Sequence, residues 1–322
     1  MLQKLNFKTL AVFSLMMAAG SSSAESTFSQ TNKNQIVAQS RPQVVATSTV
    51  ICGLAKEIAG NTIDLKCLVD AGSDPHVYQP KPDDRKAIEQ AKLIFYSGYD
   101  FEPSLIRLIK ASSTKVPKVA VGEAAVPKAL EIEEDGKKVS DPHVWHDAKN
   151  GMGMAKVINT QLSKILPNQA SVYNTKTQQI TSNLTKLDTW IKSEVATIPA
   201  KQRKLVTTHD ALGYYSKAYG IPVVGALEGL STDEAPTPTR VAQLVREIKA
   251  SGVPTIFVET TINPKLIEAV AKEANVKVSP RELFADGLGE PGTDGDTYQK
   301  MMIANTRTIV EGLGGKYTPF KP

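Results

Sequence analysis

From residue 43 onward the chain alternates two hydrophobic rhythms. Short runs rich in β-branched and aromatic residues, Gln43–Thr49, Ile63–Val69, Leu93–Ser97 and Lys118–Val121, read as strands. A second set follows at Lys204–Thr208, Pro222–Ala226, Thr255–Val258 and Val276–Ser279. Between them, stretches such as Pro82–Ala91, Glu102–Ala111, Thr239–Ser251 and Pro264–Ala274 bring apolar residues back every three or four positions, the period of a helix with one buried face. Strands separated by helices of this length pair in parallel through βαβ crossovers. The expected fold is α/β, with two lobes, each a roughly four-stranded parallel sheet flanked by helices.

Between the two sets lies Asn168–Ala196, a stretch without glycine or proline. Tyr173, Ile180, Leu184, Leu187 and Ile191 recur along it at helical spacings, and Pro167 and Pro199 punctuate its ends. One long helix, rigid where a loop would be loose, is expected to join the lobes and to restrict opening between them. The expected organisation is an N-terminal lobe over 42–167, a linking helix over 168–197 and a C-terminal lobe over 198–322. The polar segment Glu131–Ser140 is expected to be a surface loop, and it holds no histidine.

The first 24 residues follow a different pattern. Lys4 and Lys8 precede an apolar stretch from Leu10 to Gly20, and the small residues Ser21-Ser22-Ser23-Ala24 follow it. That order is the pattern of a cleaved secretory signal peptide, and its apolar part is too short for a membrane span. Residues 25–41, rich in Ser, Thr, Asn and Gln, are expected to form a flexible tether. The expected location is the periplasm. With no cysteine near the expected cut, no lipid anchor is anticipated, and no later segment is apolar for long enough to insert in a membrane. Loss of the two leader lysines takes the formal charge from +5 to +3, too mild to indicate a nucleic-acid partner. Apolar residues make up 41% of the chain and charged residues 22%, which excludes a mostly disordered or collagen-like protein. An even pair of cysteines in an exported chain suggests a disulfide. Cys52 at a helix start and Cys67 at a neighbouring strand end would lie on the same side of a βαβ unit.

The four histidines carry the chemistry. Ser73-Asp74-Pro75-His76-Val77 recurs identically as Ser140-Asp141-Pro142-His143-Val144, and His146-Asp147-Ala148 recurs as His209-Asp210-Ala211. In Asp-Pro-His the residue before proline is held extended and proline fixes its own φ, so the imidazole is presented from stiff backbone. His76, His209 and Asp286 each follow the carboxyl end of an expected parallel strand, where open α/β sheets bind ligands. His76 and His143 from one lobe would meet His209 and Asp286 from the other in the interlobe cleft. Neutral imidazoles with one carboxylate suit Zn2+, and also Mn2+ or Fe2+. His146, three residues after His143, is either an additional ligand or, as the preferred reading, a helix cap or supporting contact. Asp74, Asp141 and Asp210 suit imidazole orientation or turn capping rather than direct ligation.

These motifs, with Tyr96-Ser97-Gly98, Val144-Trp145, Tyr214-Tyr215-Ser216-Lys217-Ala218-Tyr219-Gly220, Ile256-Phe257-Val258-Glu259, Leu283-Phe284-Ala285-Asp286 and Gly295-Asp296-Thr297-Tyr298, resemble the metal-specific solute-binding proteins of bacterial ABC importers, the zinc/manganese group sometimes called cluster A-I. The resemblance runs from about residue 43 to the C-terminus. It implies two lobes joined by one helix, ligands at His76, His143, His209 and Asp286, and delivery of the ion to a membrane permease by a chain expected to be monomeric. Histidine at the third position, His209, leans towards zinc, whereas manganese-type members commonly carry glutamate there. A histidine-rich loop before the second ligand, a zinc-type hallmark, is absent, and acidic residues and lysines of Glu131–Ser140 stand in its place. A zinc hydrolase is disfavoured because four protein ligands would close the position that catalytic zinc keeps for water, and the chain has neither HExxH nor an obvious Gly-x-Ser-x-Gly. The chain is therefore expected not to be an enzyme. A surface adhesin is a further alternative.

Overall fold

The computed structural model describes residues 41–134 and 137–322, so the expected signal peptide and nearly all of the expected tether lie outside the described residues. The front half of the fold is a four-stranded parallel sheet in the order β2-β1-β3-β4, with β1 Gln43–Ala46, β2 Asp64–Cys67, β3 Leu93–Tyr96 and β4 Lys118–Ala120. Helices α1 (Thr49–Ala59), α2 (Pro82–Gln90) and α3 (Pro103–Ala111) make the crossovers. Helix α1 turns Val50, Ile51, Leu54, Ala55 and Ile58 towards the core, the face its sequence period anticipates. Cys52 on α1 is bonded to Cys67 at the end of β2, with Cα atoms 5.8 Å apart.

A short helix, α4 (Val121–Ala125), leads to the first departure from expectation. Glu131–Ser140 is not a plain loop. Strands β5 (Glu131–Glu134) and β6 (Lys137–Ser140) pair antiparallel, with Glu131 opposite Ser140 and Ile132 opposite Val139. An acidic run followed by a lysine run can pair on folding back, as Glu131 and Lys138 do at 3.6 Å.

Helices α5 (Ala148–Ile165) and α6 (Ala170–Ala196) then pack side by side. Helix α6 is the long central helix, about 40 Å at 1.5 Å per residue. It buries Tyr173, Ile180, Leu184, Leu187, Ile191 and Val195. In α5, Gly151 admits the Tyr298 ring so closely that a Cβ there would lie 2.3 Å from it.

The rear half repeats the βαβ logic with shorter strands. Strand β7 (Leu205–Thr207) pairs in parallel with β8 (Val223–Ala226) across α7 (Gly213–Tyr219). Beyond α8 (Pro238–Ser251), β9 (Thr255–Ile256) pairs with β10 (Lys277–Val278) across α9 (Lys265–Ala274). The two pairs meet where the Phe257 amide donates to the Val206 carbonyl at 3.0 Å, so the four expected strands are present as two coupled pairs. Within the β7–β8 pair the register shifts beside Val206, which lies opposite Gly225. Helix α10 (Tyr298–Gly312) completes the fold.

One apolar cluster runs from Val44 and Ile51 in front, through Leu184 and Ile191 of α6, to Phe257 and Leu283 behind. Each half also has its own cluster, around Ile94 and Leu105 in front and around Leu244 and Val270 behind. No helix among the described residues is long and apolar enough to cross a membrane.

Candidate metal centre

The repeated Asp-Pro-His sequence makes a repeated turn. The His76 amide donates to Asp74 Oδ1 at 2.9 Å, and the His143 amide donates to Asp141 Oδ1 at the same distance. Each aspartate thus folds the backbone two residues on into a tight turn, while proline stiffens the middle. His76 reaches this turn from the end of β2, which hydrogen bonds of Leu68 and Val69 prolong. His143 arrives differently, directly after the β5–β6 hairpin. His209 stands just past β7. Asp286 follows Leu283, which continues the rear sheet through its amide bond to the Val258 carbonyl.

The four side chains converge, and all four are buried. His143 Nε2 lies 3.3 Å from His76 Nε2 and 3.4 Å from His209 Nε2. Asp286 Oδ1 lies 3.5, 3.4 and 3.2 Å from the Nε2 atoms of His76, His143 and His209. Despite these approaches, Asp286 Oδ1 has no well-directed hydrogen bond among the described residues. Its other oxygen accepts the Thr261 hydroxyl at 2.9 Å.

Two carboxylates set the imidazole tautomers. Asp141 Oδ1 lies 2.9 Å from His143 Nδ1, and Glu259 Oε2 pairs with His209 Nδ1. With a proton held at Nδ1, Nε2 of both rings is turned inward and can bind a cation once any proton there has left. Glu259 Oε1 also takes the amides of Thr208 and His209 at 3.0 and 3.1 Å, so one buried carboxylate fixes both the backbone and the ring of His209. Its role was not assigned from sequence. The available signal was an acidic residue closing the apolar run Ile256-Phe257-Val258, at the carboxyl end of a strand.

Charge follows geometry. Burial works against the charged form of His143, but its bond to Asp141 and the nearby Asp286 carboxylate outweigh it and leave the pKa raised. Burial likewise opposes charge on His209, and the carboxylates of Asp286 and Glu259 lift its pKa well above the usual value. Asp286 is held well below the carboxylate range; burial alone would raise it, and His209 and the other two imidazoles overcome that.

His146 does not join the cluster. Its Nε2 meets the Ala285 carbonyl at 2.7 Å, beside Asp286, and the Trp145 indole N–H donates to the same oxygen at 3.2 Å. Burial, with His143 nearby, pushes the His146 pKa down to about 3, so the ring is neutral. It supports rather than caps, because the residue that caps α5 is Asp147, whose side chain accepts the Lys149 amide at 2.8 Å. Asp74 bonds the Thr232 hydroxyl at 2.6 Å, a tie between the front and rear halves. The Asp210 amide donates to the Gly229 carbonyl.

A family described as zinc-uptake complex component A, periplasmic, matches residues 44–312. The manganese ABC transporter substrate-binding lipoprotein PsaA of Streptococcus mitis is 37% identical over 279 residues, 84% of this chain and 89% of its own length. The metal ABC transporter substrate-binding lipoprotein SsaB of Streptococcus sanguinis is 34% identical over 87% of this chain and 92% of its own. The solved periplasmic zinc binding protein TroA from Treponema pallidum superposes with a TM-score of 0.80 at 34% identity, covering 85% of this chain and 99% of that one.

Proposed function

We propose, from the premise that this chain belongs to the zinc-uptake complex component A family, that His76, His143, His209 and Asp286 together hold one zinc ion for delivery to the permease of an ABC importer. The chain is a metal-capturing solute-binding protein and works by binding and hand-over rather than turnover. One observation carries the ligand assignment. Three imidazole nitrogens and a carboxylate oxygen without a directed hydrogen bond crowd a buried point, all within 4.8 Å of one another, with the oxygen 3.2–3.5 Å from each nitrogen and His143 Nε2 3.3 and 3.4 Å from the other two. Donors bonded at about 2.0–2.1 Å to a tetrahedral zinc stand about 3.3 Å apart. Once the imidazoles are neutral, one cation can satisfy all four donors together.

Three nitrogens to one oxygen favour zinc over manganese, which suits oxygen-rich octahedral sites. Manganese is the second reading, supported by the name of the Streptococcus mitis relative; iron follows it. The exported chain acts outside the cytoplasm as a soluble monomer, with lobes over 42–167 and 198–322 on either side of the 168–197 helix. The streptococcal relatives are named lipoproteins, and on that point this reading differs from them.

Elemental analysis of protein purified from its native compartment, followed by competition between zinc and manganese, tests the reading. Stoichiometric zinc that manganese does not displace supports it. Stoichiometric manganese, or an affinity unaffected by removal of all four side chains, refutes it.

A further inference from the structure

Phe101 is fully buried and meets two of the four site residues edge-on. Its ring centroid lies 4.9 Å from that of His76 and 5.6 Å from that of His143, at 80° to each, and Trp145 backs it at 4.7 Å. The chain reaches this position through unusual backbone. Gly98, Tyr99 and Asp100 take φ values of 87°, 51° and 52° in succession. The left-handed region costs a non-glycine residue about 1–2 kcal/mol. Among the described residues the other such position is Asn275, which ends α9 as a left-handed cap. Tyr99 and Asp100 end no helix.

Two carboxylates pin the turn. Glu123 Oε1 accepts the Tyr99 amide at 2.8 Å and packs so tightly on Gly98 that a Cβ there would lie 2.6 Å from its side chain. Buried Glu102 accepts the Ser97 amide at 2.7 Å and the Thr47 hydroxyl. Strained backbone persists only where its surroundings over-determine it, and here what it delivers is the position of one aromatic ring beside the site.

We propose that Phe101 is a positioning residue that sets metal specificity, walling the His76–His143 pair so that the ion keeps four close donors and zinc is favoured over manganese. This rests on the ligand assignment above. Manganese takes more ligands than tetrahedral zinc. To accept it, His76 and His143 must spread beyond their 3.3 Å spacing or water must enter beside them. Either change displaces Phe101, and a ring held between Trp145 and two imidazoles in a close-packed interior has nowhere to go. The apolar wall also keeps solvent from the site.

The test uses full-length wild type, Phe101→Ala and Phe101→Leu, with Co2+ as a spectroscopic probe and competition titrations for Zn2+ and Mn2+. Wild type with Co2+ is expected to show the intense visible absorption of four-coordinate cobalt. In Phe101→Ala that absorption weakens towards the pale spectrum of higher coordination, and the zinc-to-manganese affinity ratio falls about tenfold or more, a factor that corresponds to about 1.4 kcal/mol. Phe101→Leu, which keeps an apolar wall and the fold if alanine does not, shows the same changes to a smaller degree. Asp100→Gly relieves the turn but keeps the ring, and it leaves ratio and spectrum unchanged. A wild-type ratio and cobalt spectrum in both Phe101 variants overturns the proposal. Wild type that binds neither cobalt nor zinc overturns the ligand assignment itself, a distinct result.

Discussion

His209 sits where burial and charge oppose each other most strongly. In the metal-free protein, Asp286 and Glu259 keep its proton on well above the ordinary range. Metal entry must expel that proton, as it must any on His143, whose pKa is also raised. Zinc affinity should therefore fall between pH 7.5 and 5, beginning above the reference value of about 6.5. Titration against a competing chelator measures this, and a flat profile would contradict imidazole ligation. Stability of the metal-free state runs the other way. The raised His209 contributes fully below about 6.5 and loses its contribution as pH climbs through its folded pKa, while the depressed Asp286 contributes fully above about 3.9 and loses it in stronger acid. The melting temperature of chelated protein should thus be highest, for this pair, between those values. Among substitutions, Glu259→Gln should weaken zinc binding about 10–100-fold, as loss of an orienting carboxylate does. His209→Ala should cost more, and His146→Ala least, measured by calorimetry. A larger loss at His146 than at His209 would mean that the wrong histidine has been assigned. The repeated Asp-Pro-His made His76 and His143 legible in the sequence. Glu259, Phe101 and the Ala285 carbonyl were not, because each acts through a partner far away in the chain.

Among the elements, those that place the four clustered side chains are short and held by caps and turns rather than by length. Helix α5 begins directly after the Val144–His146 turn, and Asp147 fixes that junction. Asp147→Ala should lower stability by about 1 kcal/mol, the usual cost of a lost N-cap, in urea titrations of the metal-free protein. An unchanged midpoint would show that packing of α5 on α6 alone sets the helix start. Helix periods and the long central helix were readable because apolar recurrence is a local property. The β5–β6 hairpin was not, since a segment of charged residues gives no buried face to recognise. The rear strands were found by their β-branched runs, but their division into two pairs depends on how β7 and β9 meet in space, which no local pattern encodes.

At the scale of the whole molecule, the halves are joined by more than a helix. The apolar cluster is continuous through α6, and bonds such as Thr232 to Asp74, Trp145 to Ala285 and the Leu288 amide to the Thr49 hydroxyl at 2.8 Å cross between front and rear. Opening must break these without tearing the shared core. Small-angle scattering of metal-free and zinc-loaded protein should consequently differ little, whereas zinc at 100 times its Kd should stabilise the fold by about 2.7 kcal/mol. Each kcal/mol raises Tm by about 2–4 °C. A large change in radius of gyration would show that the central helix bends.

The sequence by itself determined the two hydrophobic rhythms, the parallel α/β architecture, the long central helix and the kind of donor the chain offers. All of these follow from neighbours along the backbone, whose periods and turn residues act over a few positions. Only the tertiary structure decided that Nε2 of His76, His143 and His209 and Oδ1 of Asp286 gather within 4.8 Å of one another, which carboxylates turn the rings inward and which aromatic side chain walls them in. The four clustered side chains themselves stand 66 to more than 200 positions apart along the chain, and their meeting depends on how the sheets, the hairpin and the central helix cross in space.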